Sequence, residues 1–121
     1  MNLSTEVAGI YLKNPLMPAS GPLTGDHRKM RAIEMMGVGA MVTKTISTIA
    51  ARVPRPCIIA ERDFVVNTEL WSEFSPDIWL EEFLPEYKKY SGLPLIISLG
   101  YSPEDLRKLV PLFSEFADGF E

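Results

Sequence analysis

Three short apolar runs, each ending in small or polar residues, constrain this chain more than any other feature. Gly39-Ala40-Met41-Val42 runs into Thr43-Lys44-Thr45. Leu95-Ile96-Ile97 runs into Ser98-Leu99-Gly100, and Leu16-Met17-Pro18-Ala19 runs into Ser20-Gly21. Short continuous apolar runs of this kind suit strands covered on both faces. Helical patterns separate them, and strand–helix alternation means parallel strands joined by right-handed crossovers. The polar ends of parallel strands share one face, and ligands bind at that face.

The first helix is expected over Asp26 to Met36. Asp26 is its N-cap, Gly37 its stop, and Met30, Ile33 and Met36 its buried stripe. A second is expected from Ser75-Pro76, with Trp79, Phe83, Tyr87 and Tyr90 in the core and a kink at Pro85. The third opens at Ser102-Pro103-Glu104-Asp105, which places acidic side chains against the positive end of the helix dipole. Leu106, Leu109, Val110, Phe113, Phe116 and Ala117 trace its apolar face, Pro111 interrupts it and Asp118-Gly119 ends it. Phe120-Glu121 opens a fourth strand. Val7 to Leu12, around Gly9, reads as a hairpin before the first strand.

Residues 46–66 lose periodicity and carry Arg52, Pro54, Arg55, Pro56 and Cys57. Long loops in compact domains are usually functional or disordered. Cys57 has no activating base beside it in sequence and reads as structural. His27 reads as a surface residue.

The chain has 121 residues, enough for a single domain over 1–121 with one core. The apolar share is 46%, a globular composition. Net charge is −4 with interspersed signs, so no nucleic-acid partner is expected. A single cysteine excludes an internal disulfide and fits a reducing, cytoplasmic setting. No apolar run is long enough for a membrane span, and no metal-ligand cluster is evident. A closed eight-stranded barrel needs about 250 residues. The order therefore fits either a small open α/β domain or the front part of a barrel.

Lys13-Asn14-Pro15-Leu16-Met17-Pro18-Ala19-Ser20-Gly21 and Val42-Thr43-Lys44-Thr45, in that order and spacing, resemble the opening of the dihydroorotate dehydrogenase family. The resemblance extends to Asp118-Gly119-Phe120-Glu121. It implies the N-terminal part of a TIM (β/α)8 barrel, preceded by a β-hairpin, with FMN as cofactor and a CH–CH bond of a ring as substrate. At Asn67-Thr68-Glu69-Leu70-Trp71-Ser72 the chain departs from the dihydroorotate pattern and resembles the flavin domain of dihydropyrimidine dehydrogenases. A pyrimidine-type ring thereby gains weight as the substrate.

The resemblance implies flavin contacts for Ala19, Ser20, Gly21, Lys44, Thr45 and Ser98, and substrate contacts for Lys44, Asn67 and Glu69. Lys44 is the only strand-end cation, placed to stabilise negative charge on a flavin ring. A lysine here could instead extend to solvent. The family's catalytic base, a cysteine or serine, is expected beyond Glu121, so no residue of this chain takes that role and the chain alone is expected to be inactive. An electron-transfer partner and a homo-oligomer are expected. The competing reading is a non-catalytic α/β module that associates through open barrel edges.

Overall fold

A computed structural model describes residues 2–121. Strand β1 (Thr5–Val7) pairs antiparallel with β2 (Ile10–Leu12) around Ala8-Gly9, where both φ angles are positive. A 3₁₀ turn, Pro22–Thr24, precedes helix α1 (His27–Glu34). Strand β3 (Met41–Val42) follows. A second hairpin joins β4 (Ile58–Ala60) to β5 (Val65–Asn67). Helix α2 (Pro76–Ile78) runs through a π turn (Trp79–Phe83) into α3 (Leu84–Lys88). Strand β6 (Leu95–Ile97), helix α4 (Pro103–Phe113) and strand β7 (Gly119–Phe120) complete the chain. Among the described residues, no helix is long and apolar enough to cross a membrane.

The main sheet has the order β3-β6-β7, and both pairings are parallel. Alternation along β6 decides its two faces. Leu95 and Ile97 are fully buried in a core with Met41, Met30, Trp79, Phe83, Tyr87, Leu109 and Phe113. Ile96 points the other way, toward a recess of about 210 Å³ lined by Val7, Ile10, Leu12, Met17, Gly119 and Phe120.

The caps of the first and last helices form as expected, whereas Ser75 makes no side-chain cap bond and the last helix runs through Pro111. Asp26 accepts from the backbone N–H groups of Arg28 and Lys29 at 2.9 Å each, and Gly37 takes the left-handed conformation just past the helix. Ser102 and Asp105 form a reciprocal capping box. Pro85 is accommodated by the π turn before it, where Leu84 N–H reaches back to Trp79 O. The widened turn makes room for a ring that would strain a regular α-turn.

Several expectations fail for physical reasons. Leu16–Ala19 is not a strand, because Pro15 and Pro18 remove ladder donors. Its backbone ties to the sheet region through Gly39 N–H to Leu16 O, 2.7 Å. Met36 lies beyond the helix end and is 77% exposed. Tyr90 is exposed and covers the Arg31 guanidinium at 5.5 Å instead of entering the core. The last helix stops at Phe113, before Asp118-Gly119, and Leu106 on its expected apolar face is exposed. The long loop after β3 contains the β4–β5 hairpin.

Gly39 has a steric role. A Cβ there would lie 2.0 Å from the Asn14 carbonyl oxygen and 2.9 Å from its carbon, both backbone atoms. Asn14 is held by its side chain, which donates to Gly37 O and accepts from Leu16 N–H. Gly39→Ala is therefore expected to destabilise by about 1–3 kcal/mol, the usual range for overpacking. Chemical denaturation checks this; an unchanged midpoint would show that the N-terminal segment is not docked on β3.

Candidate functional site

The carboxyl ends of β3 and β6 open on a cleft of about 440 Å³. Ser20, Gly21 and Pro22 form one side. Lys44, Thr45 and Ser47 form the floor, and Asn67, Glu69, Leu70 and Trp71 come from the loop beyond β5. Gly100 and Tyr101 close it after β6. The Ser20-Gly21 loop is set by the 3₁₀ turn, because Thr24 O accepts from Lys44 N–H at 3.1 Å. Thr43 is structural: its Oγ1 accepts from Ser98 N–H at 3.0 Å.

Lys44 is buried, and its Nζ forms an ion pair with Glu69 Oε2. The side chains are 8% and 11% exposed, so solvent screens the pair little. The Lys44 hydrogen bond holds the Glu69 carboxyl below its usual range; burial opposes this, and the Cys57 thiol supports it. Glu69 is positioned from its own loop as well, since Asn67 Oδ1 accepts from Glu69 N–H at 2.8 Å. The alternative of a lysine extending to solvent is excluded by this burial.

Of the sequence candidates, Ser20, Gly21, Lys44, Thr45, Asn67 and Glu69 all line the cleft. Ala19 is exposed and does not. Ser98 is buried behind the wall, with its Oγ 2.9 Å from Thr45 Oγ1. It orients Thr45 and does not itself line the cleft.

No protein-family model matches the chain. The catalytic subunit of dihydroorotate dehydrogenase B (NAD(+)) from Caldicellulosiruptor bescii is 28% identical over 100% of this chain and 41% of that protein. Dihydroorotate dehydrogenase A (fumarate) from Lactobacillus helveticus is 33% identical over 87% of this chain and 35% of that protein. The chain is a relative of the dihydroorotate dehydrogenases. It spans 41% and 35% of the length of these two curated relatives. A crystal structure of the Eimeria tenella dihydroorotate dehydrogenase, in complex with ferulenol, shares the fold. The TM-score is 0.74 at 19% identity, over 98% of this chain and 35% of that one.

In this relative of the dihydroorotate dehydrogenases, two aromatic residues of the cleft wall and one neighbour of Glu69 were not among the sequence candidates. Trp71 and Tyr101 form an aromatic pair, ring centroids 4.8 Å apart, along one wall. Tyr101 directly follows the polar end of β6, which was the available signal. Cys57 reads from the sequence as structural, with no activating base beside it. Its Sγ in fact lies 3.3 Å from Glu69 Oε1 and 3.0 Å from Arg55 Nη1. Residues twelve apart in sequence meet because the β4–β5 hairpin folds the loop back on itself.

Proposed function

We propose that this chain forms the ring side of an FMN site in a (β/α)8-barrel oxidoreductase, acting on a CH–CH bond of a pyrimidine-type ring. The observation that carries the reading is the convergence of Lys44, Thr45, Asn67 and Glu69 on one cleft at the ends of two parallel strands.

The donor set suits a flavin ring. Ser20, Ser47 and Thr45 hydroxyls can donate or accept, Lys44 donates, and Glu69 accepts. Gly100 keeps the wall clear, since a Cβ there would come within 3.2 Å of Thr45 Cγ2. A flavin bound here would supply the hydride-accepting ring. Lys44 and Thr45 would hold the polar edge of that ring, and Ser98 would fix the Thr45 hydroxyl. Lys44 is the only cation among the described lining residues and is already paired. A flavin phosphate therefore finds no cradle in this cleft. Residues 1–121 alone are accordingly expected to retain FMN poorly and to be inactive. The whole protein, in a reducing cytoplasmic setting, would work with an electron-transfer partner and as a homo-oligomer.

Charge in the cleft bears on the substrate. Glu69 neutralises Lys44, and both residues line the cleft with Asn67. That arrangement suits a neutral ring with N–H donors and disfavours a ring that carries its own carboxylate. The full-length protein is therefore expected to turn over a dihydropyrimidine base in preference to dihydroorotate. Parallel turnover assays test this, and efficient dihydroorotate oxidation would overturn it.

A second reading has its own observation. Among the described residues, the outer edges of β3 and β7 are unpaired in the sheet, and the recess around Met17 and Phe120 is apolar. A non-catalytic module could associate there. Full-length protein that self-associates yet retains no flavin would favour this module over the enzyme.

A further inference from the structure

The Glu69 carboxylate is held from two sides. Its Oε2 takes Lys44. Its Oε1 accepts from the Cys57 thiol at 3.3 Å and lies 4.0 Å from Arg55 Nη1. Arg55 is in turn fixed, because Nη1 donates to Cys57 Sγ at 3.0 Å and Nη2 donates to Glu73 Oε2 at 2.5 Å. Thr68 N–H donates to Cys57 O at 2.7 Å, which sets the loop strand carrying the thiol against the one carrying Glu69.

We propose that Arg55 and Cys57 are positioning residues for the cleft, holding the Glu69 carboxylate in place against Lys44. The proposal rests on reading this cleft as the ring-binding site. Neither residue is part of the hydrophobic core: the Arg55 side chain is 61% exposed and Cys57 is only half-buried. Their polar atoms face Glu69. A recess of about 80 Å³ lies behind the pair, lined in part by Gly25, Lys29, Glu73 and Phe74. The charged and titratable groups around Glu69 are thus Lys44, Lys29, Arg55, Cys57 and Glu73. A glutamate on a loop has several open rotamers, and a thiol donor on its far oxygen with a guanidinium 4.0 Å away leaves one.

The test uses the full-length protein and follows the Glu69 side-chain carboxyl by carbon NMR through an acid titration, assigned with Glu69→Gln. The Cys57 thiol and Arg55 charge both favour the ionised carboxylate. Cys57→Ala and Arg55→Gln are therefore expected to raise the Glu69 midpoint. Cys57→Ser restores a donor and is expected to titrate close to wild type. Should Cys57→Ala fail to fold, methyl methanethiosulfonate on the folded protein serves instead. The thiolate displaces methanesulfinate, a sulfur–sulfur bond forms, and the S–H donor is lost. Wild-type midpoints in both Cys57→Ala and Arg55→Gln would overturn the proposal, as would a Cys57→Ser protein that titrates like Cys57→Ala. An FMN titration of the wild type separates the two levels of the argument. If no flavin binds, the ring-site reading fails while the carboxyl midpoints still decide the positioning role.

Discussion

Glu69→Ala is expected to destabilise the protein by about 3 kcal/mol at neutral pH, because it strands the Lys44 ammonium in a buried position. Removing one partner of a buried ion pair commonly costs about 3–5 kcal/mol, and the slight exposure here places the effect at the low end. The double variant Lys44→Met, Glu69→Leu is expected to recover most of that loss, since an apolar pair needs no solvation. The pH dependence follows from the direction of the shift. The folded-state carboxyl of Glu69 lies below its ordinary range, so its contribution is complete above the unfolded value of about 4.3. It is lost as the pH falls through the lower folded value. Wild type and Glu69→Ala should therefore differ most near neutrality and converge in acid. Urea denaturation at a series of pH values measures this; a constant gap across that range would mean that the pair does not stabilise the fold.

Trp79→Ala is expected to cost about 3–5 kcal/mol, the usual penalty for emptying a buried aromatic site. Trp79 is fully buried, with its ring edge-on to Phe83 at a centroid distance of 5.3 Å. It also has a polar handle: Nε1 donates to Ser72 Oγ at 2.8 Å. Ser72 anchors the cleft loop, because its N–H donates to Thr45 O at 2.7 Å and its carbonyl accepts from Ala51 N–H at 2.8 Å. Trp79→Phe retains most of the burial and loses the hydrogen bond, so a smaller cost of about 1–2 kcal/mol is expected. Equal losses for the two variants in thermal or chemical denaturation would show that the indole N–H dominates and the ring volume does not.

Where local chemistry decided the outcome, the sequence was legible. Asp26, Gly37 and the Ser102–Asp105 box mark helix ends because their hydrogen bonds are made within a few residues. The floor of the cleft was legible because β3 and β6 are parallel, so Lys44 and Thr45 at the end of one share a face with Gly100 and Tyr101 just past the end of the other, whereas Ser20 reaches the cleft from a loop. Tertiary competition decided the rest. Tyr90 has the spacing of Trp79 and Phe83, yet the helix ends before it and Arg31 offers its ring a partner outside the core. Phe113, on the apolar face of the last helix, is fully enclosed, whereas Leu106 on the same expected face is exposed. The β4–β5 hairpin exposes Ile58, Ile59, Val65 and Val66. That hairpin escaped detection because Ile-Ile-Ala and Val-Val-Asn lack the alternation that marks a half-buried strand.

The arrangement of the three-stranded sheet has a consequence for how the chain matures. Strand β6 is the central one, yet it is made long after β3: Met41 pairs with Leu95, more than fifty positions later. Until Leu95–Ile97 leaves the ribosome, Met41–Val42 lacks the strand it pairs with in this structure. Non-local pairing of this kind slows folding, since a long loop must close before any contact rewards it. The emerging polypeptide therefore passes through a stage in which Ala40, Met41 and Val42 are exposed, the stage at which chaperone capture or misassembly would act. The arrival of a single three-residue strand ends that stage.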